Sequence, residues 1–256
     1  MTARVVSQLG YPLAGALAIL AAWFLACSAV NIPTVVLPSP DKVLHAFIGR
    51  FDLLVSEGWI TLKETLFGFL LAVAVGIPMA VAVANSRPLN LMFYPLLVGL
   101  QSVPKVALAP IILVWLGTGI ESKLAIVWLV AFFPIIVDTT AGLQSTPKEF
   151  VELANSLRAS PVQMFMKVQF PAALPFVLTG AKVAITLAVI GAVIGEFVGS
   201  SEGLGFLLLS ATSQLDTPLA FAALFALSFL GVLVYLLVEL VEHLVAPWLP
   251  PSSQRH

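Results

Sequence analysis

Long apolar runs separated by short polar punctuation dominate this chain. Six of them approach the ~20 apolar residues that a bilayer core requires: Tyr11–Val30, Thr65–Ser86, Leu91–Leu116, 124–142, Ala172–Val198 and Pro218–Glu239. Arg4 precedes the first run, and Ala26-Cys27-Ser28 near its end are small, as in a cleaved leader. The run is longer than the ~7–15-residue core of such a leader, so it reads as a retained span. Asn31–Pro40 is a proline-punctuated exit. Asp41–Glu64 then mixes charges with Val43, Leu44, Phe47, Leu53 and Leu54, as a helix lying in the membrane interface would. Gly76 and Pro78 mark kink points in the second span, and Pro104-Lys105 and Pro110 interrupt the third. Gly203-Leu204-Gly205 is too flexible for a span interior. No linker, low-complexity tract or repeat divides the chain. The predicted fold is all-α: one polytopic transmembrane domain over residues 1–256, with about six transmembrane helices.

Composition supports the membrane class and removes others. Of 256 residues, 60% are hydrophobic and 10% charged, against roughly 25% charged in a soluble domain, and the mean hydropathy is +1.05. A net charge of -1 argues against nucleic acid as a partner. Cys27 lies in an apolar run and reads as a small buried hydrophobe; one cysteine forms no internal disulfide. His45, His243 and His256 are far apart in sequence, unlike the clustered ligands of a metal site. No G-x-x-x-x-G-K-[ST] stretch occurs. Gly117–Lys123 imitates it with the wrong spacing and no hydroxyl residue after the lysine. No catalytic residue stands out. The chain is read as a non-enzyme that binds no cofactor itself.

One interval breaks the apolar pattern: Thr146 to Pro175, the longest amphipathic, charge-bearing stretch in the sequence. Thr146-Pro147-Lys148-Glu149 has the form of a capping box, with Pro147 at the first helical position. Ser160-Pro161-Val162-Gln163 repeats the signal. Two short helices are predicted, joined near Arg158-Ala159, the second stopping before Pro171. On the first, Phe150, Ala154 and Leu157 fall on one apolar face, with Glu149, Glu152, Asn155 and Ser156 elsewhere. A helix pair of this kind between membrane spans points to docking of a soluble partner.

These residues also carry a resemblance. Glu152-x-Ala154, Arg158 and Val168-x-Phe170-Pro171 are similar in spacing to the EAA loop of bacterial ABC importer permeases. Leu153 stands where that pattern has alanine, and Arg158 where it has glycine; with arginine there, ordinary backbone angles are expected at the turn. Gln101-Ser102-Val103-Pro104-Lys105-Val106-Ala107-Leu108-Ala109-Pro110, then Trp115-Leu116-Gly117-x-Gly119, resembles the third span of the nitrate, taurine and alkanesulfonate branch. So do Ala181-Lys182-Val183-Ala184 and the Glu196–Gly205 stretch. The resemblance spans nearly the whole chain.

What the resemblance implies is a permease pair in the bacterial inner membrane, two ATPase subunits inside, and a substrate-binding protein outside. ATP and magnesium would be held by the ATPases. The loop 146–171 would couple the two, with Phe150, Ala154 and Leu157 as buried anchors and Glu149, Glu152, Arg158 and Pro171 as further coupling residues. The alternative for this loop is that it packs on the protein's own spans.

Charged and polar residues inside the spans are the second set of candidates, because such groups are costly in lipid and face a cavity or a partner. Gln101, Ser102, Lys105, Asp138, Lys182 and Glu196 qualify as pathway residues. Lys105 and Lys182 are positioned to attract an anionic or polar solute, or else to pair with Asp138, Glu196 or backbone carbonyls. With both termini and the loop in the cytoplasm, the inner side collects Arg4, Arg87, Lys148, Arg158, Lys167 and Arg255, against Lys42, Arg50, Lys63 and Lys123 outside. Two rival classes stay open: a secondary transporter, which would need more mid-membrane acids, and a membrane assembly factor, which would leave the loop unexplained.

Overall fold

The computed structural model describes residues 2–29 and 32–245. Val30, Arg255 and His256, and the side chain of Arg4, lie outside the described residues. The described residues are helical and contain no strand: α1 (Thr2–Ala29), α2 (Pro40–Gly49), α3 (Phe51–Asn85), α4 (Arg87–Leu100), a 3₁₀ turn (Lys105–Leu108), α5 (Ala109–Leu116), α6 (Ile120–Gln144), α7 (Lys148–Ser156), α8 (Pro161–Met164), a π turn (Phe165–Gln169), α9 (Phe170–Gly199), α10 (Leu204–Ser213) and α11 (Thr217–Val245). Among them, α3, α6, the α8–α9 run and α11 are long and apolar enough to cross a membrane. The segments Arg87–Leu100 and Lys105–Leu116, bent by 91° to each other, are apolar enough only when taken together. In α1 the apolar part runs from Ala14 to Ala29.

Three elements differ from the sequence pattern. The stretch 41–64 is not one interfacial helix: α2 ends at Gly49, and α3 starts at Phe51 and runs unbroken into the second span. Its hydrophobic and charged residues divide between two helices, because Arg50 leaves helical geometry at φ -120°. Nor does the second loop helix stop before Pro171. The chain stays helical from Pro161 to Gly199. Pro171 falls in the first turn of α9, and the π turn just ahead of it takes up the change in hydrogen-bond register that a residue without an N–H imposes. The third difference is at Thr146, where no capping box forms. Pro147 is the N-cap, and the Thr146 hydroxyl donates back to the Leu143 carbonyl at 2.9 Å. The box at Ser160 does form, the Gln163 amide donating to Ser160 Oγ and the Ser160 amide to Gln163 Oε1.

The core is a three-helix layer of α3, α6 and α9. Ala131, Ile135, Ile136, Ala184, Ile185 and Ala188 are buried in it. Without a hydrophobic drive between helices in lipid, close approach of backbones supplies the attraction. Gly191 shows how close: a Cβ there would lie 2.9 Å from the Cα of Val127. Gly180 does the same one stretch further along, where a Cβ would lie 2.9 Å from Asp138 Cβ. These crossings fix α6 against α9 at two levels and hold their two ends in register.

Candidate functional site

The α7 end of the bundle carries the loop singled out above. α7 leaves α6 after Gln144 and returns through α8 and the π turn into α9, so a short helix is tied at both ends to core helices. Its apolar side chains stand in the open: Phe150 is 57% exposed, Leu153 58% and Leu157 75%. Ala154, expected on one face with Phe150 and Leu157, is instead turned inward and 8% exposed. Its small side chain lets α7 lie close to the chain behind it, where the Ala154 carbonyl accepts from the Ala159 amide at 3.0 Å. The outward apolar face is therefore Phe150, Leu153 and Leu157. Glu149 and Glu152 are on the exposed side of the same helix.

The turn after α7 is not made with ordinary backbone angles. Arg158 has φ 56°, the left-handed conformation favoured by glycine. The geometry of the helix end requires it: the Arg158 amide donates to Asn155 and the Ala159 amide reaches back to Ala154, closing the last carbonyls of α7. The turn keeps the shape that glycine serves in the family pattern, at a steric cost of ~1–2 kcal/mol for a side chain. Pro171 lies in the first turn of α9.

The predicted pathway residues fall at four separate places. Gln101, Ser102 and Lys105 lie together at the 91° bend between α4 and α5. Lys105 Nζ donates to the Gln101 carbonyl at 3.0 Å and sits 4.9 Å from the ring centroid of Phe133 on α6. A cavity of about 330 Å³ opens there between the bend, α6 and α9. Lys182 is elsewhere and engaged: it forms an ion pair with Glu242 of α11 and lies over the Tyr235 ring. Asp138 packs against Gly180 on α9. Neither lysine pairs with Asp138 or Glu196 among the described residues.

Glu196 does not line an open pathway. It is fully buried at the end of the bundle opposite α7. There Thr61 Oγ1 donates to Glu196 Oε1 at 2.7 Å, and the Gly205 amide donates to Glu196 Oε2 at 2.5 Å. Thr61 Oγ1 accepts in turn from the Leu204 amide at 2.9 Å, and Glu57 Oε2 from the Gly203 amide at 2.5 Å. Beside this knot Lys123 donates to Glu64 at 2.8 Å, both side chains buried. The sequence reading missed Glu57, Thr61, Glu64 and Lys123. Glu64 and Lys123 were legible in part, as opposite charges closing the outer edge of two neighbouring uncharged runs.

A multi-pass helical membrane protein with a short, exposed amphipathic helix between two core spans fits a transport permease. Comparison with known proteins bears this out. Residues 72–248 match the family of binding-protein-dependent transport system inner membrane components, and the chain belongs to that family. It is 38% identical over 216 residues to the formylaminopyrimidine transport permease protein ThiX of Halalkalibacterium halodurans, covering 83% of this chain and 85% of that one. It is 28% identical over 242 residues to the taurine transport system permease protein TauC of Escherichia coli, covering 91% and 88%. The fold is similar to that of a chain in inward-facing structures of the MetNI methionine ABC transporter, with TM-score 0.57, 23% identity, and 74% of this chain and 98% of that chain covered. The protein is thus a permease subunit of an ABC importer, a transport component rather than an enzyme.

Proposed function

We propose that two copies of this chain form the translocation pathway for a small anionic or polar organic solute, with α7 as the helix that couples it to ATP hydrolysis. The solute is delivered by a binding protein at the far end, and two separate ATPase subunits, which hold ATP and magnesium, dock at the α7 end in the cytoplasm. Both termini are then cytoplasmic. The observation that carries this reading is the outward face of α7: three large apolar side chains in water, on a helix anchored to the core helices α6 and α9. An exposed apolar patch of this kind marks a contact with another protein. Because α6 and α9 are locked to each other, a push on α7 is transmitted as movement of rigid helices rather than absorbed locally.

Two measurements test it. Purified in detergent, the chain captures its ATPase subunit and hydrolyses no ATP alone; ATP turnover by the isolated chain would contradict the assignment. In cells, a cysteine replacing Ser56 labels from outside, and one replacing Ser160 labels only after permeabilisation. Labelling of Ser160→Cys from outside would reverse the orientation and remove the cytoplasmic ATPase from α7.

A further inference from the structure

The bend between α4 and α5 holds a positive charge for which the described residues supply no acidic partner. Phe133, under the Lys105 ammonium, lies 13 residues from the start of α6 and 11 from its end, so ~17–20 Å from either edge of the bundle. That is mid-membrane depth, where an ammonium is costly unless something compensates it. Two other lysines on the core helices are compensated: Lys123 by Glu64 and Lys182 by Glu242. Lys105 has the Gln101 carbonyl and the Phe133 ring, and no ion-pair partner among the described residues. The acids on the helices packed against it are engaged or placed elsewhere. Glu121 is in the first turn of α6. Asp138 is packed on Gly180, and Glu196 is bonded to Thr61 and Gly205.

We propose that Lys105 forms an anion subsite halfway along the pathway, and that the transported solute is a small organic oxyanion. The inference rests on the importer reading and names the chemistry of its cargo. One N–H of the ammonium is held by Gln101, which fixes the direction of the side chain. The others are available to a carboxylate, sulfonate or phosphate oxygen entering the cavity of about 330 Å³. Val106, Phe133, Leu187 and Ile190 line the same cavity and accept the organic part of the solute. A single cation with one fixed bond gives a site strong enough to admit an anion and weak enough to release it.

The test needs no knowledge of the natural solute. In the membrane-embedded importer with Cys27→Ala, a cysteine replacing Val106, which is 60% exposed, is treated with an anionic or a cationic methanethiosulfonate reagent. The anion-to-cation ratio of reaction rates falls about tenfold on adding Lys105→Gln, as the loss of one nearby unit charge dictates. It is retained with Lys105→Arg. A second reporter, Gln101→Cys, gives the same pattern, and Ser56→Cys at the far surface shows no dependence on residue 105. An unchanged ratio in Lys105→Gln overturns the proposal, because Lys105 then acts only as a cap on α4. So does absence of reaction at both reporters while Ser56→Cys reacts, because no aqueous route then reaches the lysine. Failure of the importer reading shows separately, as loss of ATPase capture.

Discussion

The two ends of the bundle meet opposite requirements. At the far end Thr61, Glu64, Lys123 and Glu196 are taken out of water. Glu196 and Thr61 are bonded to each other and to the 203–205 backbone, and Lys123 is paired with Glu64. At the α7 end the reverse holds: Phe150, Leu153 and Leu157 are left in water. Buried polar groups that find partners within the chain tie the helix ends of that region to one another. Exposed apolar groups on an anchored helix make a region that a second protein completes. The contrast separates what this chain does for its own stability from what it presents to a partner.

If the far end is held by its buried charges, removing one of them has the largest effect on stability. Lys123→Met leaves Glu64 buried without its cation and lowers stability by about 3–5 kcal/mol, with much of the loss recovered in Lys123→Met/Glu64→Met. Thermal unfolding in detergent reads both. An unaltered midpoint for Lys123→Met would mean that the pair does not hold α3 to α6. The next effect is smaller. Gly203 has φ 102°, and a Cβ there collides with the Glu196 carboxylate, so Gly203→Ala costs about 1–3 kcal/mol. The same assay shows it as a lowered midpoint, and a midpoint equal to the parent would remove the 203–205 knot from the account.

The smallest effect sharpens the other side of the comparison. Arg158→Gly relieves a left-handed arginine at the end of α7. The gain is partly offset by the greater freedom of glycine in the unfolded chain, leaving about 0.5–1 kcal/mol of net stabilisation. Slower backbone hydrogen exchange over α7 and α8 reports it. Faster exchange would show that the arginine side chain, and not the backbone turn, secures the loop.

How much of this was legible in the sequence follows from which forces are local. The Ser160 box depends on nearby residues and appears where the pattern puts it; the apolar runs become helices, four of them long and apolar enough to cross a membrane. The exposed apolar face of α7 was half legible: helical spacing places Phe150, Ala154 and Leu157 together, but which flank faces the protein is set by tertiary packing. Ala154 went inward because it is small, and Leu153 was left outside. The backbone at Arg158 was misjudged because residue type alone favours ordinary angles, whereas the helix end demanded φ 56°. The bond between Glu196 and Thr61 was invisible because it joins residues 135 positions apart. The bend at residues 101–104 was visible from Pro104, but not the Phe133 ring that it brings beneath Lys105.

The measurement that tests the central claim most directly is ATPase capture by Leu153→Asp and Leu157→Asp. Both positions are exposed, so neither change disturbs the fold or membrane insertion, and the unfolding midpoint stays at the parent value. A carboxylate forced unpaired into a protein contact costs several kcal/mol. The account therefore predicts that each variant loses ATPase association by orders of magnitude and transports nothing in reconstituted vesicles, while Ser56→Asp at the far surface retains both. Full ATPase association and uptake by both leucine variants would contradict it, because α7 would then not be the face that the partner completes.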